Sequence, residues 1–245
     1  MKGVLVSFAA IGLLAYCGLV AIVYLGQRGM LYHPSGFDRA WTHVRALEPF
    51  EVAIARPDAR LHGWLVNPDA ETLVVYYGGN AEELSHTASD FLARSGHATL
   101  LVNYRGYGES GGRPSERALV GDALAIHARF SDRYRRVFLM GRSLGSGIAV
   151  QVAAEREVDG LILVAPYDSM VATARDHFPL LPVGLLLRDR YQSDTLAPRI
   201  DAPALILVGG RDQVIRGERS RALADAWGGA VEWIEIPQAN HITIG

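Results

Sequence analysis

A chain of 245 residues is long enough for one domain with a sizeable core and something further at an end. The formal net charge of -2 and the scattered basic residues offer no basic stripe, so nucleic-acid binding is not expected. The single cysteine, Cys17, excludes an internal disulfide.

Val4 to Leu25 carries no charge over 22 residues and is bounded by Lys2 and Arg28. As a helix it spans the roughly 30 Å hydrocarbon core of a bilayer. The competing reading is a cleaved signal, but the apolar run exceeds the usual h-region of about 7–15 residues and no A-x-A site closes it. Leu14-Ala15-Tyr16-Cys17 is a poor lipoprotein signal because the bulky Tyr16 directly precedes the cysteine. Residues 1–28 are therefore expected to be a retained single-pass N-terminal membrane anchor. Lys2 is the only lysine, an arginine bias associated with GC-rich bacterial genomes, so a bacterial inner membrane is expected. Lys2 on one side and Arg28 and Arg39 on the other do not choose a face. Residues 29–49 form a polar connector containing Leu31-Tyr32-His33-Pro34, with Tyr32 and Trp41 either at the membrane interface or packed on the domain.

From residue 50 an α/β domain is expected to run to 245. Phe50 to Arg56 and Leu61 to Asn67 read as a hairpin around Pro57-Asp58. Thr72 to Tyr77 is an apolar strand running into Gly78-Gly79-Asn80, with a helix from about Glu82 to Arg94. The alternation continues with a strand His97 to Asn103, a helix Pro114 to Phe130 with proline in its first turn, a strand Arg136 to Met140 and a helix Leu144 to Glu157. Strands Gly160 to Ala165, Pro203 to Gly209 and Ala230 to Ile236 follow, with a helix Arg216 to Trp227 before the last. Uninterrupted apolar strands separated by helices predict a mostly parallel, eight-stranded sheet covered on both faces. Residues 167–202 break the rhythm with Pro179, Pro182, Pro198 and the apolar run 177–187, and are expected to form a short cap with acyl-binding surface over the site, the alternative being a helix that simply connects two strands.

Gly141-Arg142-Ser143-Leu144-Gly145 places Ser143 on the corner between a strand and a helix. Such a corner forces strained angles on its apex residue, needs glycine on either side, and sets the first N–H groups of the helix beside the hydroxyl. Ser143 is thus the expected nucleophile, and Leu144 N–H an oxyanion donor. Gly79 and Asn80, at the end of a core strand, can turn further N–H groups toward a ligand. A second G-x-S-x-G, Gly108 to Gly112, is similar to the GDSGG of chymotrypsin-like proteases. Its strand ends several residues earlier and Arg113-Pro114 follows instead of a helix, so Ser110 is not the expected nucleophile. A serine nucleophile needs an imidazole and a carboxylate. Asp212 follows a strand by two residues and His241 lies beyond the last strand; Asp168, also after a strand, competes for the role of acid. The remaining histidines and Arg142 are read as structural, Arg142 as a partner for a nearby carboxylate.

The chain resembles the α/β-hydrolase superfamily, and within it the membrane-anchored, BEM46-like branch that includes ABHD13- and ABHD17-like proteins. The resemblance runs through Leu31-Tyr32-His33-Pro34, residues 76–82, residues 103–110, Gly141 to Gly145, Gly210-Arg211-Asp212 and Asn240-His241. It implies the α/β-hydrolase fold, with Ser143 as nucleophile, Asp212 as acid, His241 as base, and an oxyanion hole from the N–H of Leu144 and of the Gly79-Asn80 turn. Gly78 stands where relatives more often carry histidine. The resemblance also implies a helix after the catalytic histidine, whereas the sequence given ends at Gly245. The expected activity is cleavage of an ester or thioester of a small-molecule or lipid acyl substrate; a serine aminopeptidase and a non-catalytic, membrane-tethered binding protein are the alternatives. No H-E-x-x-H, Walker loop or dinucleotide fingerprint occurs, so no metal or organic cofactor is expected.

Overall fold

The computed structural model describes residues 2–244. A long helix α1 (Lys2–Leu31) and a short α2 (Thr42–Leu47) precede the sheet. Eight strands follow among the described residues: β1 (Glu51–Arg56), β2 (Ala59–Val66), β3 (Thr72–Tyr77), β4 (Ala98–Val102), β5 (Arg136–Arg142), β6 (Gly160–Val164), β7 (Ala204–Gly209) and β8 (Val231–Ile236). They form one sheet in the order β1-β2-β4-β3-β5-β6-β7-β8. Only β2 runs against its neighbours, pairing antiparallel with β1 and β4; every other pairing is parallel.

Helices cover both faces because the central strands bury both of theirs. Every residue of β3 and β4 is buried, which explains why their sequences are apolar without alternation. On one face α4 (Glu116–Phe130) and α5 (Leu144–Ala153) contribute Leu119, Ile126, Ile148 and Val152 to the main core. On the other, Leu47, Trp64, Tyr76, Leu84 and Leu101 form a second cluster beneath α2 and α3 (Ser85–Arg94). A fully buried leucine is worth about 1.5–3 kcal/mol, so the two clusters dominate the favourable side of folding. The helix α6 (Gly217–Ala226) lies between β7 and β8 along the chain, and β8 is the least covered strand.

Three expectations shift for local reasons. Helix α3 begins at Ser85 because Glu82 and Glu83 turn their carboxylates back onto the N–H groups of Gly79 and Ser85. Helix α4 begins at Glu116: Ser115 is its cap, accepting from Ala118 N–H, and Pro114 lies outside the first turn. Helix α1 runs past Arg28 to Leu31, taking the start of the expected connector with it, and Tyr32 is buried in the main core. Trp41 is exposed, its ring set beside those of Phe37 and His43.

The approach of α5 to the sheet is set by two glycines. A Cβ on Gly145 would collide with the carbonyls of Tyr77 and Gly78, and one on Gly141 would stand 2.6 Å from the Gly145 carbonyl. Gly145→Ala is expected to lower stability by about 1–3 kcal/mol through overpacking, read as a fall in the urea midpoint. Gly121→Ala, on α4 where nothing lies within 4 Å of the added methyl, is expected to raise stability by about 0.5–1 kcal/mol in the same measurement.

Candidate active site

The parallel strands deliver their following loops to one edge, and that edge collects the chemistry. Ser143 stands between β5 and α5 with φ 51° and ψ -116°, a conformation that non-glycine residues rarely hold and that costs on the order of 1–3 kcal/mol. It is pinned on both sides: its N–H donates to Val164 O at 2.9 Å, and its carbonyl accepts from the N–H and hydroxyl of Ser146 at 3.0 and 2.7 Å.

Asp212, just after β7, and His241, after β8, meet this corner. His241 Nε2 lies 2.9 Å from Ser143 Oγ, and Nδ1 lies 2.7 Å from Asp212 Oδ2. With its proton on Nδ1, the ring donates to the carboxylate and accepts from the hydroxyl. The other Asp212 oxygen accepts from the N–H groups of Val214 and Ile215 at 2.8 and 2.9 Å. These bonds fix the direction of the buried carboxylate. An alcohol, an imidazole and a carboxylate in this line can pass a proton from the alcohol to the ring when a carbonyl is attacked.

Asp168 is not in this line. It accepts from Ser169 N–H and from Arg219, and burial raises its carboxyl above the usual range despite that arginine. Ser110 is buried, donating to Asn103 O and accepting from His62 N–H, which makes it a loop brace.

Around Ser143 the backbone offers two free donors. Among the described residues, neither Leu144 N–H nor Asn80 N–H has a protein acceptor, and both residues border the cavity beside Ser143. Gly79 differs, since its N–H donates to Glu82 Oε2 at 2.7 Å. Glu82 also accepts from Tyr76 and Thr87 hydroxyls, so the turn after β3 is built around this carboxylate. Tyr107 supports the turn from outside by donating to Asn80 O at 2.6 Å; burial pushes its phenol up to about 12, which keeps the donor protonated. His33, from the connector, meets Asn80 through its main chain and its ring.

Arg142 carries more than the carboxylate contact expected of it. One nitrogen stands 3.6 Å from Glu82, while another donates to the His241 carbonyl at 3.1 Å. It therefore ties the turn after β3 to the histidine loop across the corner. The cavity over Ser143 has a volume of about 620 Å³ and is walled by the excursion between β6 and β7, including Met170, Phe178, Leu181 and Leu187. It is also walled by Val23, Met30 and Leu31 of α1, which sequence reasoning missed. An apolar periodicity says that a helix will be covered, not by what.

Comparison with known proteins agrees with this architecture. A family model described as "Serine aminopeptidase, S33" matches residues 69–182. The uncharacterized protein Rv2307c of Mycobacterium tuberculosis is 30% identical over 242 residues, covering 95% of this chain and 86% of that protein. Human alpha/beta hydrolase domain-containing protein 17B is 28% identical over 182 residues, covering 71% of this chain and 62% of its own. Among solved structures, the Pyrococcus furiosus esterase Pf2001 superposes with a TM-score of 0.67 at 18% identity, over 86% of this chain and 91% of that one. At that identity the likeness is one of fold.

The hydrogen bonding makes the two aspartates distinguishable without any substrate. In Asp212→Asn the carboxamide can present its NH₂ to Nδ1, and His241 is then expected to carry its proton on Nε2. A 15N spectrum of labelled histidine should show that tautomer change in Asp212→Asn and none in Asp168→Asn.

Proposed function

Because the chain belongs to the α/β-hydrolase superfamily, we propose that it is a serine hydrolase cleaving carboxylic esters or thioesters by acyl transfer through Ser143. The observation that carries the reading is the unbroken line Asp212–His241–Ser143 at a corner whose backbone is held in a strained form. Ser143 Oγ bonds to the carbonyl carbon as His241 Nε2 takes its proton. Leu144 and Asn80 N–H donate to the oxyanion. As the tetrahedral intermediate collapses, the bond to the leaving oxygen or sulfur breaks and His241 returns the proton to it. Water then attacks the acyl-serine by the same route in reverse, releasing a carboxylic acid and restoring the hydroxyl. Asp212 fixes the tautomer throughout. Gly79, whose N–H is engaged by Glu82, has the role of shaping the turn and not of holding the oxyanion.

The apolar walls of the cavity favour an acyl chain as the substrate part bound beside Ser143. The description of the matching family model raises an aminopeptidase as a second reading. Such an enzyme needs a free acid to hold the substrate amine. Asp176 and Asp189 are paired with Arg219 and Arg28, and Asp194 caps its own local turn. None of the three borders the cavity, and Glu82, which does, is occupied by Gly79, Tyr76 and Thr87. Helix α1, whose segment Ser7–Leu31 is long and apolar enough to cross a bilayer, is assigned as a retained anchor.

A fluorophosphonate probe is expected to label the wild-type chain and not Ser143→Ala, whose kcat on p-nitrophenyl esters should fall by about 10⁴ or more. Labelling that survives the substitution would end the assignment of Ser143 as nucleophile, and a folded wild type that binds ligands without labelling would move the function to a non-catalytic binding role. A higher kcat/KM on aminoacyl anilides than on acyl esters would favour the peptidase.

A further inference from the structure

The long helix does more than lie beside the domain. Its last three turns and the excursion between β6 and β7 face each other across the cavity, with Val23, Met30 and Leu31 on one side and Phe178, Leu181 and Leu187 on the other. Polar contacts bridge the two sides at intervals. Gln27 Nε2 donates to Leu186 O at 3.1 Å, and Gln27 Oε1 accepts from Arg188 N–H at 2.7 Å. Arg28 pairs with the buried Asp189 through bonds of 2.9 and 3.1 Å, and Arg188 stacks over Tyr24 at 4.3 Å. Farther toward the amino end, Tyr16 donates to Leu180 O at 3.0 Å. From Gln27 back to Tyr16 is about 16 Å of helix. The segment 178–187 therefore lies along the apolar stretch of α1, well inside the part long enough to cross a membrane.

The outer surface of this segment has the composition of a membrane contact. Leu180 and Leu185 are 86% and 88% exposed, yet neither borders the cavity. Met30, Phe178, Val214 and Ile242 both border it and are exposed, so the mouth is rimmed by apolar side chains. A bilayer that receives α1 receives the tip of this excursion with it, and those side chains then meet hydrocarbon instead of water.

Building on the acyl-transfer reading of the site, we infer that α1 is a wall of the acyl pocket as well as an anchor. The substrate is a membrane lipid ester whose chain slides from the leaflet through the seam between α1 and the 178–187 segment. Such a chain leaves one apolar medium for another, so entry costs no exposure of its methylenes to water. Met30, at the mouth and on α1, is a specificity-determining residue for chain length. A lipid is favoured over an acylated peptide because, of the exposed residues that border the cavity, Met30, Ala81, Phe178, Val214 and Ile242 are apolar and His177 is the polar one.

The test uses the full chain in phosphatidylcholine vesicles carrying a long-chain acyl ester of a fluorogenic alcohol, with p-nitrophenyl butyrate in water and fluorophosphonate labelling as controls. The double variant Leu180→Asp/Leu185→Asp is expected to turn over the vesicle substrate at least about tenfold more slowly, the loss that follows from denying two leucines an apolar surrounding. Its butyrate rate and labelling should match wild type. Met30→Trp is expected to lower the long-to-short ratio of kcat/KM by about tenfold. If the double variant labels normally and keeps its vesicle rate, or Met30→Trp leaves the ratio unchanged, the inference is overturned while acyl transfer stands. Activity confined to a long-chain S-acyl peptide overturns it too. A wild type that the probe does not label removes both.

Discussion

Everything at the active edge depends on one backbone conformation, the left-handed φ of Ser143. A serine does not hold that conformation unaided, so the surroundings must impose it. Gly145 lets α5 press against the carbonyls at the end of β3, and Gly141 lets β5 run under the first turn of that helix. The cost of the strained corner, on the order of 1–3 kcal/mol, is offset by buried leucine, isoleucine and valine on α5 and β5. Because the corner is over-determined, the hydroxyl needs no reorganisation to meet His241, and the first helical N–H stays without a protein acceptor. Strain and chemistry share one origin here: a helix brought closer to a sheet than side chains normally allow.

The same closeness explains why Arg142 and Glu82 sit where they do. Packing α5 against β3 brings the turn after β3 within reach of the residue beside Ser143. A carboxylate at position 82 satisfies Gly79 N–H and two hydroxyls, and Arg142 then bridges from it to the histidine loop. Three loops arising from three strand ends are thereby cross-linked by side chains that do no chemistry. This arrangement leaves Asn80 N–H free by spending Gly79 N–H, a division of labour within two consecutive residues.

The residues that follow strands were the legible ones. Ser143, Asp212 and His241 each come after an apolar run of strand length, and parallel pairing sends all such positions to the same edge, so the sequence order alone brings them together. The burial of β3 and β4 was legible for the same reason, since continuous apolar runs have no exposed face. What stayed hidden depends on distant side chains. Whether Gly79 N–H points at a ligand or at a carboxylate is decided by residue 82, and a glycine pattern carries no trace of it. Pro114 looked like a first-turn proline, but Ser115 one position on has the oxygen that caps a helix, and the cap won. The stretch Val4 to Leu25 declared itself as membrane-length, yet nothing in its composition marks Val23, Met30 and Leu31 as cavity wall, because apolarity suits lipid and pocket equally.

That equivalence is what makes α1 inseparable from the body of the protein. Asp189 is buried, and its charge is balanced by Arg28 with further hydrogen bonding from Tyr32, itself bonded to Tyr191 at 2.9 Å. A buried carboxylate stripped of its partner costs several kcal/mol, about 3–5 in typical cases and toward the lower end here because Arg28 is half exposed. A detachable tether would have no reason to carry the counter-ion of an interior acid. The residues that complete the charge balance of the 178–191 segment and the residues that complete the apolar wall of the cavity stand on the same last three turns of α1. The element that is long and apolar enough to cross a membrane thus also walls the cavity, and displacing that helix would disturb both the fold of the segment over Ser143 and the apolar lining beside it.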